Sequence, residues 1–224
     1  MLDEAMTDTI SPFRPSEPAS SGADSGRLTQ AERRERSELE LLEATMRVVS
    51  EQGVAAATFD AIGKEAGYSR GLVTQRFGSK EGLIRSLIAA LHAWQQDALD
   101  QAHIAEMDGL AALSAFVHLH SQTAEGQDEG KAYYMLLAAT VADRLDMREA
   151  FADSHEIERV LIRGIIERGQ AEGSIRADAD ADATALMAGC ALIGIRMQSL
   201  INPDMEIGPV RDALIESLRA RLAP

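Results

Sequence analysis

Residues 58–83, TFDAIGKEAGYSRGLVTQRFGSKEGL, contain the pattern of two short helices joined by a tight turn and followed by the start of a third helix. Thr58 is a favourable N-cap, because its hydroxyl can accept a hydrogen bond from a backbone amide of the first turn. Asp60 suits the positive end of the helix dipole. The spacing therefore predicts a helix from about Phe59 to Ala66.

A glycine ends this helix and a second helix follows. Gly67 can adopt the left-handed conformation without steric penalty, which lets the chain turn sharply to Ser69, a second N-cap. If the helices cross at a steep angle, with a small alanine at the contact, the inward residues are Phe59, Ile62, Ala66, Tyr68, Val73 and Phe77. The outward side of the second helix then carries Arg70, Gly71, Leu72, Gln75 and Arg76. Hydrogen-bond donors, an amide and little bulk near a helix start suit the reading of a DNA groove.

With its flanks, this segment resembles the DNA-binding domain of the TetR family of bacterial transcriptional regulators. The resemblance extends upstream through LLEATMRVVSEQG, residues 41–53, and includes the F-x-x-K-x-x-L signature made by Phe77, Lys80 and Leu83. It implies an all-α protein with an N-terminal three-helix helix-turn-helix DNA-binding domain, followed by a helical ligand-binding and dimerisation domain. Many members have a phosphate-contacting tyrosine where this chain has Thr74, so that contact must be shorter here or be supplied by a neighbouring side chain.

The chain divides into three parts by composition and pattern. Residues 1–26 are rich in Ser, Pro, Ala and acidic residues, which predicts a disordered tail. Residues 35–95 form the DNA-binding domain with its connecting helix, the helix-turn-helix lying at about 58–77, and residues 96–224 form the body. The core side of the first helix is set by Leu41, Leu42, Thr45, Val48 and Val49, which recur at helical spacing.

Helical periodicity continues to the end of the chain, and no strand pattern competes with it. After the long helix that follows Lys80, further helices are predicted at about 108–124, 130–143, 146–170, 178–201 and 208–222. The predicted breaks are Gly126, Gly130, Gly169, Gly173, Pro203 and the pair Gly208-Pro209, with the proline at the first position of the last helix.

The composition limits the compartment and the chemistry. The net charge is −14, but residues 27–82 hold nine basic and nine acidic side chains, so the candidate DNA reader is the least acidic part. The apolar runs are expected to be too short for a membrane span, and the N-terminus lacks a signal-peptide pattern. Both observations favour a cytoplasmic protein. Cys190 is the only cysteine; its apolar neighbours favour a buried, inert thiol.

The predicted DNA contacts sort by chemistry. Thr58, Ser69 and Lys80 lie at helix starts and are expected to hold phosphates, together with a shorter contact from Thr74. Base edges are left to Arg70, Leu72, Gln75 and Arg76, with Gly71 allowing close approach of the backbone to DNA. The alternative is that Arg70, Gln75 and Arg76 are ordinary solvated surface.

The resemblance also implies a small-molecule cavity in the body, for which the candidate lining is Trp94, Phe116, His120, Tyr134 and Met135. Such residues at helical spacing are also typical of plain core. His118 and His120 point to different faces of a helix, so a shared metal is not expected, and neither is any cofactor. The sequence has no phosphate-binding glycine loop and no HExxH motif, and its GxSxG match at residues 67–71 follows a predicted helix rather than the strand of a nucleophile elbow, so no enzyme is predicted.

The last two helices are too apolar for one subunit to cover, and the resemblance implies that they pair in a homodimer. The chain is thus expected to be a ligand-responsive repressor that binds a pseudopalindromic DNA operator as a homodimer and is released by an unknown small molecule. An activator of the same family, a helical small-molecule carrier that no longer reads DNA, and an enzyme on a helical body stay open as alternatives.

Overall fold

The computed structural model describes residues 29–122, 128–143 and 147–224. Within these ranges the chain forms nine α-helices: α1 (Gln30–Gln52), α2 (Phe59–Ala66), α3 (Arg70–Phe77), α4 (Lys80–Gln101), α5 (Gly109–Gln122), α6 (Asp128–Asp143), α7 (Arg148–Glu172), α8 (Ala181–Ile201) and α9 (Ile207–Leu222). Short 3-10 turns at Val54–Ala56 and Ile104–Glu106 were not predicted. The all-α fold is confirmed for the described residues, whereas the tail at 1–26 and the break at Gly126 lie outside them.

The described residues form two compact units that are divided between residues 91 and 92, within α4. The first contains α1, α2 and α3 with the start of α4. The second contains the end of α4 and the helices from α5 to α9. Sequence analysis had placed this boundary four residues later, at 95.

The first unit is organised around the buried face of α1. Thr29 and Glu32 form a reciprocal capping box that starts α1 at Gln30, before the part of the helix that the apolar spacing had indicated. All five residues predicted for the core side of α1 are buried. Ile62 and Val73, from the next two helices, are fully buried. Burying such aliphatic side chains stabilises a small domain by about 1.5–3 kcal/mol each.

The second unit has a core built mainly from α5, α7, α8 and α9. Its fully buried members include Phe116, Ile162 and Ile166. Gly109 and Gly169 let α5 and α7 approach closely, because a Cβ on Gly109 would collide with the backbone of Gly169. Gly169 therefore serves as a contact point inside α7, and the predicted break there is wrong.

Several predicted boundaries differ from the observed ones by one to three residues, and two more predicted breaks are wrong. Gly130 lies inside α6 and Gly208 inside α9, so neither ends a helix. Pro209 is the third residue of α9, where an amide still lacks a partner within the helix, so proline is tolerated there as well.

Helix α8 corrects two expectations. Cys190 is exposed, because the apolar sequence around it covers more than one side of the helix and only part of it packs within the unit. By length and composition α8 is also apolar enough to cross a membrane, and only about a third of its apolar stretch is buried. The expectation that no run reaches this length was wrong, although one such helix is weak evidence for a span.

Candidate functional site

The turn between α2 and α3 has the predicted geometry. Gly67 adopts the left-handed conformation, with φ 76° and ψ 22°, and ends α2. Tyr68 N then donates to Gly63 O at 2.7 Å, which brings the turn back against α2. A Cβ on Gly63 would lie 2.8 Å from Tyr68 O, so glycine is required there. Sequence analysis had assigned the close contact to Ala66, one turn further on, because spacing alone does not show where the following loop folds back.

Both predicted N-caps are present, and both residues stay at the surface. Thr58 Oγ1 accepts from Ala61 N at 3.2 Å, and Ser69 Oγ accepts from Leu72 N at 3.3 Å. Lys80, at the start of α4, donates from Nζ to the carbonyl oxygen of Val54 at 3.1 Å. All three residues are exposed.

The outward side of α3 is open to solvent. Gly71, Thr74 and Gln75 are exposed, and Leu72 is half-buried. The hydroxyl of Thr74 donates to Arg70 O within the same helix at 3.1 Å, which keeps it close to the helix surface. Of these four residues, Gln75 therefore presents the longest polar side chain to solvent.

Arg70 pairs with an acidic residue of α2. Its Nη1 lies 3.2 Å from Asp60 Oδ2, and each side chain is 68% exposed. An ion pair this exposed contributes about 0–1 kcal/mol to stability. The main effect of the carboxylate is to restrict where the guanidinium of Arg70 points. Asp60 was expected only to interact with the helix dipole, so this second role was not predicted.

Arg76 lies at the junction of α3 with α1. Its Nε and Nη2 atoms donate to Ser37 Oγ at 3.3 and 3.1 Å, and the residue is half-buried. The expectation of a fully outward side chain was wrong, because Ser37 is four turns before the end of α1 and its proximity depends on the tertiary packing. Arg76 still has a further guanidinium nitrogen beyond these two bonds.

Tyr68 is half-buried and its hydroxyl donates to Glu40 of α1. This hydrogen bond lowers the pKa of Glu40 and raises the pKa of Tyr68, so the proton stays on the phenol. Arg36 holds the same carboxylate from the preceding turn, with Nε 2.9 Å from Glu40 Oε1. The turn between α2 and α3 is thereby fixed to α1 by the bond from Tyr68 to Glu40, which no local pattern indicates because the two residues are 28 positions apart.

The second unit contains a cluster of polar side chains, here called the polar cluster, which comes from α4, α6, α7, α5 and α8: His92, His120, Tyr133, Tyr134, Ser154, His155, Glu158 and Arg196. Burying polar and charged groups costs free energy unless they are paired, so such a cluster in a helical core is a candidate functional site.

One part of the polar cluster is a hydroxyl relay. Ser154 Oγ lies 2.5 Å from His92 Nε2 and 2.8 Å from Tyr133 Oη, and Ser154 is buried. Burial lowers the pKa of His92, which favours its neutral form. Burial also raises the pKa of Tyr133, so this group stays a phenol.

The second part joins an imidazole to a carboxylate. His120 Nε2 lies 3.0 Å from Glu158 Oε1. Burial favours the protonated carboxyl, but the hydrogen bond from His120 and the nearby imidazoles of His155 and His92 outweigh it, so the pKa of Glu158 lies below its ordinary value. His155 Nε2 is itself buried and has no hydrogen-bond partner among the described residues.

The third part pairs a cation with a phenol. The Cζ atom of Arg196 lies 5.5 Å from the ring centre of Tyr134, and Arg196 is 7% exposed. Burial lowers the pKa of Arg196 and raises the pKa of Tyr134 to about 12. Arginine nonetheless keeps its charge in proteins. The polar cluster therefore contains one fixed positive group, Arg196, in addition to the carboxylate of Glu158.

The structure brings together some of the residues predicted for the cavity. Phe116 is fully buried and stacks on His120, with ring centres 4.5 Å apart, and Tyr134 contacts Arg196. Met135 is half-buried, and the side chain of Trp94 lies outside the described residues. Sequence analysis missed Glu158, His155 and Arg196, whose polar side chains gave no signal of burial.

An apolar strip lies on the outside of α8 and continues on α9. It consists of Leu186, Met187, Cys190, Gly194, Ile201 and Val210, with Leu186 57% and Ile201 73% exposed. A Cβ added to Gly189 or Gly194 would meet no atom of the described chain, so this side of α8 is open.

An exposed, rigidly fixed α3 on a capped helix-turn-helix defines the class of DNA-binding regulators. The model of bacterial regulatory proteins of the tetR family matches residues 41–87. This segment, which contains the helix-turn-helix, belongs to the TetR family of regulatory proteins.

Curated relatives and solved structures agree with this family. The chain is 38% identical over 66 residues to the HTH-type transcriptional regulator BetI of Vibrio campbellii, covering 28% of this chain and only 33% of that protein. It is 29% identical over 181 residues to the HTH-type transcriptional repressor KstR2 of Mycolicibacterium smegmatis, covering 77% and 76%. The transcriptional regulator FadR from Bacillus subtilis, solved in complex with stearoyl-CoA, superposes with a TM-score of 0.72 at 17% identity, covering 81% of this chain and 97% of that one.

Proposed function

We propose that this regulator is a ligand-responsive repressor that binds a pseudopalindromic operator as a homodimer and is released from it by a small molecule. The observation that carries the proposal is the exposed side of α3, presented by a turn that Gly67, Ser69 and the network around Glu40 hold in place. A helix fixed in this way can enter a major groove with little loss of conformational freedom.

The contacts with DNA divide between phosphates and bases. Thr58, Ser69 and Lys80 face solvent at helix starts, where backbone amides and a positive dipole end attract phosphate. Thr74 adds the shorter contact in place of the family's tyrosine. Gly71 is exposed and permits close approach of the backbone to DNA. The base edges are read by the four side chains around it, which are Arg70, Leu72, Gln75 and Arg76.

Two copies of the chain are joined through the last two helices. The apolar strip on α8 and α9 is the surface that a second copy covers, because burying exposed aliphatic side chains is favourable by about 25 cal/mol per Å². A dimer joined through this strip carries two copies of α3, and half-sites one helical turn apart on a duplex require these copies to be about 34–36 Å apart.

Release follows from differential binding. In one conformation of the second unit the two copies of α3 match successive grooves, and in the other they do not. A small molecule that prefers the second conformation lowers the affinity for DNA. The largest decrease is the ratio of its affinities for the two conformations. The polar cluster is the place in the second unit where a ligand finds hydrogen-bonding groups away from solvent. Helix α4 is the connection, since it belongs to both units.

The proposal is tested with duplex DNA from directly upstream of the gene that encodes the chain. We expect Arg76→Ala and Lys80→Ala to weaken binding of this DNA in a gel-shift titration while the chain stays dimeric in sedimentation. Lys131→Ala and Arg148→Ala remove exposed cations from the second unit and serve as controls for the loss of a positive charge. Unchanged DNA affinity in both test variants contradicts the proposed interface.

A helical carrier that no longer reads DNA is favoured by one observation, the replacement of the family's phosphate-contacting tyrosine by Thr74, whose hydroxyl bonds within its own helix. The same titration separates the two functions, because a carrier binds upstream DNA no better than DNA of scrambled sequence. An activator differs from a repressor only in where the operator lies relative to the promoter.

A further inference from the structure

The polar cluster restricts the chemistry of the ligand that it can take. It holds two fixed charges, the carboxylate of Glu158 and the guanidinium of Arg196, and each already has a partner inside the second unit. Separating one member of a buried pair from its partner is costly, about 3–5 kcal/mol in measured cases. A ligand with a net charge must therefore lose its own hydration and also compete with a pair that the protein has already formed.

The relay of His92, Ser154 and Tyr133 is likewise hydrogen-bonded within the protein. The Ser154 hydroxyl has one proton and lies within hydrogen-bond distance of both neighbours, so it donates to one of them and accepts from the other. These three groups fix α4, α6 and α7 to one another and leave the serine without a donor for a ligand.

The hydrogen-bonding capacity that remains open is an imidazole nitrogen. His155 Nε2 is shielded from solvent and has no partner in the part of the chain that the structure describes, and His155 is close enough to Glu158 and His92 to act on the charge of both. An imidazole nitrogen is a donor in one neutral tautomer and an acceptor in the other. A hydroxyl can satisfy either tautomer, and a carbonyl oxygen satisfies the donor form.

Aromatic rings pack against other members of the polar cluster. Phe116 stacks on His120, and Tyr133, which bonds to Ser154, makes edge-to-face contacts with Tyr134 and Phe151. These rings give the cluster an apolar surround for the remainder of a ligand, and among the described members of the cluster the unpartnered buried atom is His155 Nε2.

We infer that the effector is an uncharged, largely apolar molecule with one hydroxyl or carbonyl oxygen, which hydrogen-bonds to His155 Nε2 beside the His120–Glu158 pair. This inference rests on the proposed function, since it names the class of small molecule that acts on the regulator. His155 determines the preference for an oxygen-bearing ligand. The charges of Glu158 and Arg196 already have partners within the protein, which excludes carboxylates and ammonium ions as ligands.

Calorimetric titration of the full chain with a matched eight-carbon series tests the inference. The probes are 1-octanol, 2-octanone, octanoate, octylammonium and 1-octene, which share a chain and differ in the head group. We expect the alcohol or the ketone to bind at least about tenfold more tightly than either ion, because an ion loses far more hydration on burial. Comparing the alcohol with the ketone shows which oxygen is preferred.

Variants of His155 separate ligand recognition from a purely structural role. His155→Leu should weaken binding of the preferred oxygenated probe about five- to tenfold, as expected for one neutral hydrogen bond, without weakening 1-octene. His155→Gln keeps a donor and an acceptor and should restore most of the affinity. His103→Asn, at an exposed histidine of the same unit, is the matched control.

Tighter binding of octanoate or octylammonium than of both uncharged probes overturns the inference, as does failure of all five probes to bind. These results with the wild-type chain decide the matter even where a variant does not fold. Affinity for upstream DNA, measured without any probe, reports the proposed function separately. A chain that binds this DNA but prefers an ion keeps its function and loses the ligand class assigned here.

Discussion

Arg70 is the residue whose environment has the most direct effect on DNA reading. Asp60 holds its guanidinium at the start of α3, and both side chains are open to solvent. We expect Arg70→Ala to weaken operator binding by about 1–3 kcal/mol, the range for a contact with a base edge. Asp60→Asn removes a negative charge near the DNA and frees Arg70, so binding of scrambled DNA should strengthen.

Titrations with operator and scrambled duplexes at one salt concentration check this expectation, with Arg148→Ala as the control for loss of a cation. Equal loss on both duplexes in Arg70→Ala would mean that Arg70 contacts phosphate only. A lower affinity for scrambled DNA in Asp60→Asn would mean that the ion pair does not limit Arg70.

Single residues were predictable from sequence where the interaction is local. The caps Thr58 and Ser69 and the left-handed Gly67 depend on neighbours within three or four positions, and all three are confirmed. The bond from Arg76 to Ser37 joins residues 39 positions apart, so no local pattern indicates it. The exposure of Cys190 was missed because an apolar sequence does not distinguish an intrachain core from a surface open to a partner.

At the scale of elements, two glycines of the helix-turn-helix have opposite roles. A Cβ on Gly63 meets the backbone of Tyr68, whereas a Cβ on Gly71 meets only Ser69 Oγ at the ordinary distance of 3.7 Å. We expect Gly63→Ala to destabilise the first unit by about 1–3 kcal/mol, because the turn must move away from α2. Gly71→Ala should preserve stability or raise it by up to about 1 kcal/mol, yet weaken DNA binding.

Thermal unfolding and DNA titration of both variants test this pair. If Gly63→Ala unfolds at the wild-type temperature, α2 and the turn are not in close contact. If Gly71→Ala binds the operator as tightly as the wild type, the start of α3 does not approach the duplex closely.

The hydrogen bonds among His92, Ser154 and Tyr133, which connect α4, α6 and α7, should make the stability of the second unit depend on pH. Burial depresses the pKa of His92 below its ordinary value of 6.5, so the unfolded chain takes up a proton before the folded chain does. The contribution of His92 is therefore complete above about pH 6.5 and is lost as the pH falls from there through the folded pKa. Glu158 adds a loss in the same direction, starting only near its ordinary value of 4.5.

Melting temperatures from pH 7.5 down to pH 5 measure this effect. The variant His92→Gln, which keeps a hydrogen-bonding group beside Ser154, should show a flatter profile between these limits than the wild type. Parallel profiles for the two proteins would show that His92 does not titrate differently on unfolding.

Most elements could be located from the sequence, but their contacts could not. The periodicity gave α2 from Phe59 to Ala66, as observed, and the other long helices to within a few residues. Gly169 was mistaken for a break, because a glycine that ends a helix and a glycine that admits another helix are identical in sequence. The polar cluster draws on five helices, so its composition follows only from their packing.

At the scale of the whole molecule, the apolar strip on α8 and α9 predicts the oligomeric state. We expect Leu186→Glu to shift the chain to a monomer in sedimentation, because a charge must then be buried at the interface. Loss of the second copy of α3 should weaken operator binding roughly a hundredfold or more.

Val141→Glu is the matched control, since Val141 is 66% exposed on α6, outside the strip. A Leu186→Glu chain that sediments as a dimer would show that the second copy is held by another surface. A wild-type chain that stays monomeric at high concentration would remove the basis for a two-fold operator.

Fluorescence anisotropy of the wild-type chain on labelled upstream and scrambled duplexes, at an ionic strength of about 0.15 M, tests the central claim most directly. A sequence-reading dimer should bind the upstream duplex about a thousandfold or more tightly than the scrambled one, with two chains per duplex at saturation. Equal affinity for the two duplexes would contradict the assignment of α3 as a DNA-reading helix.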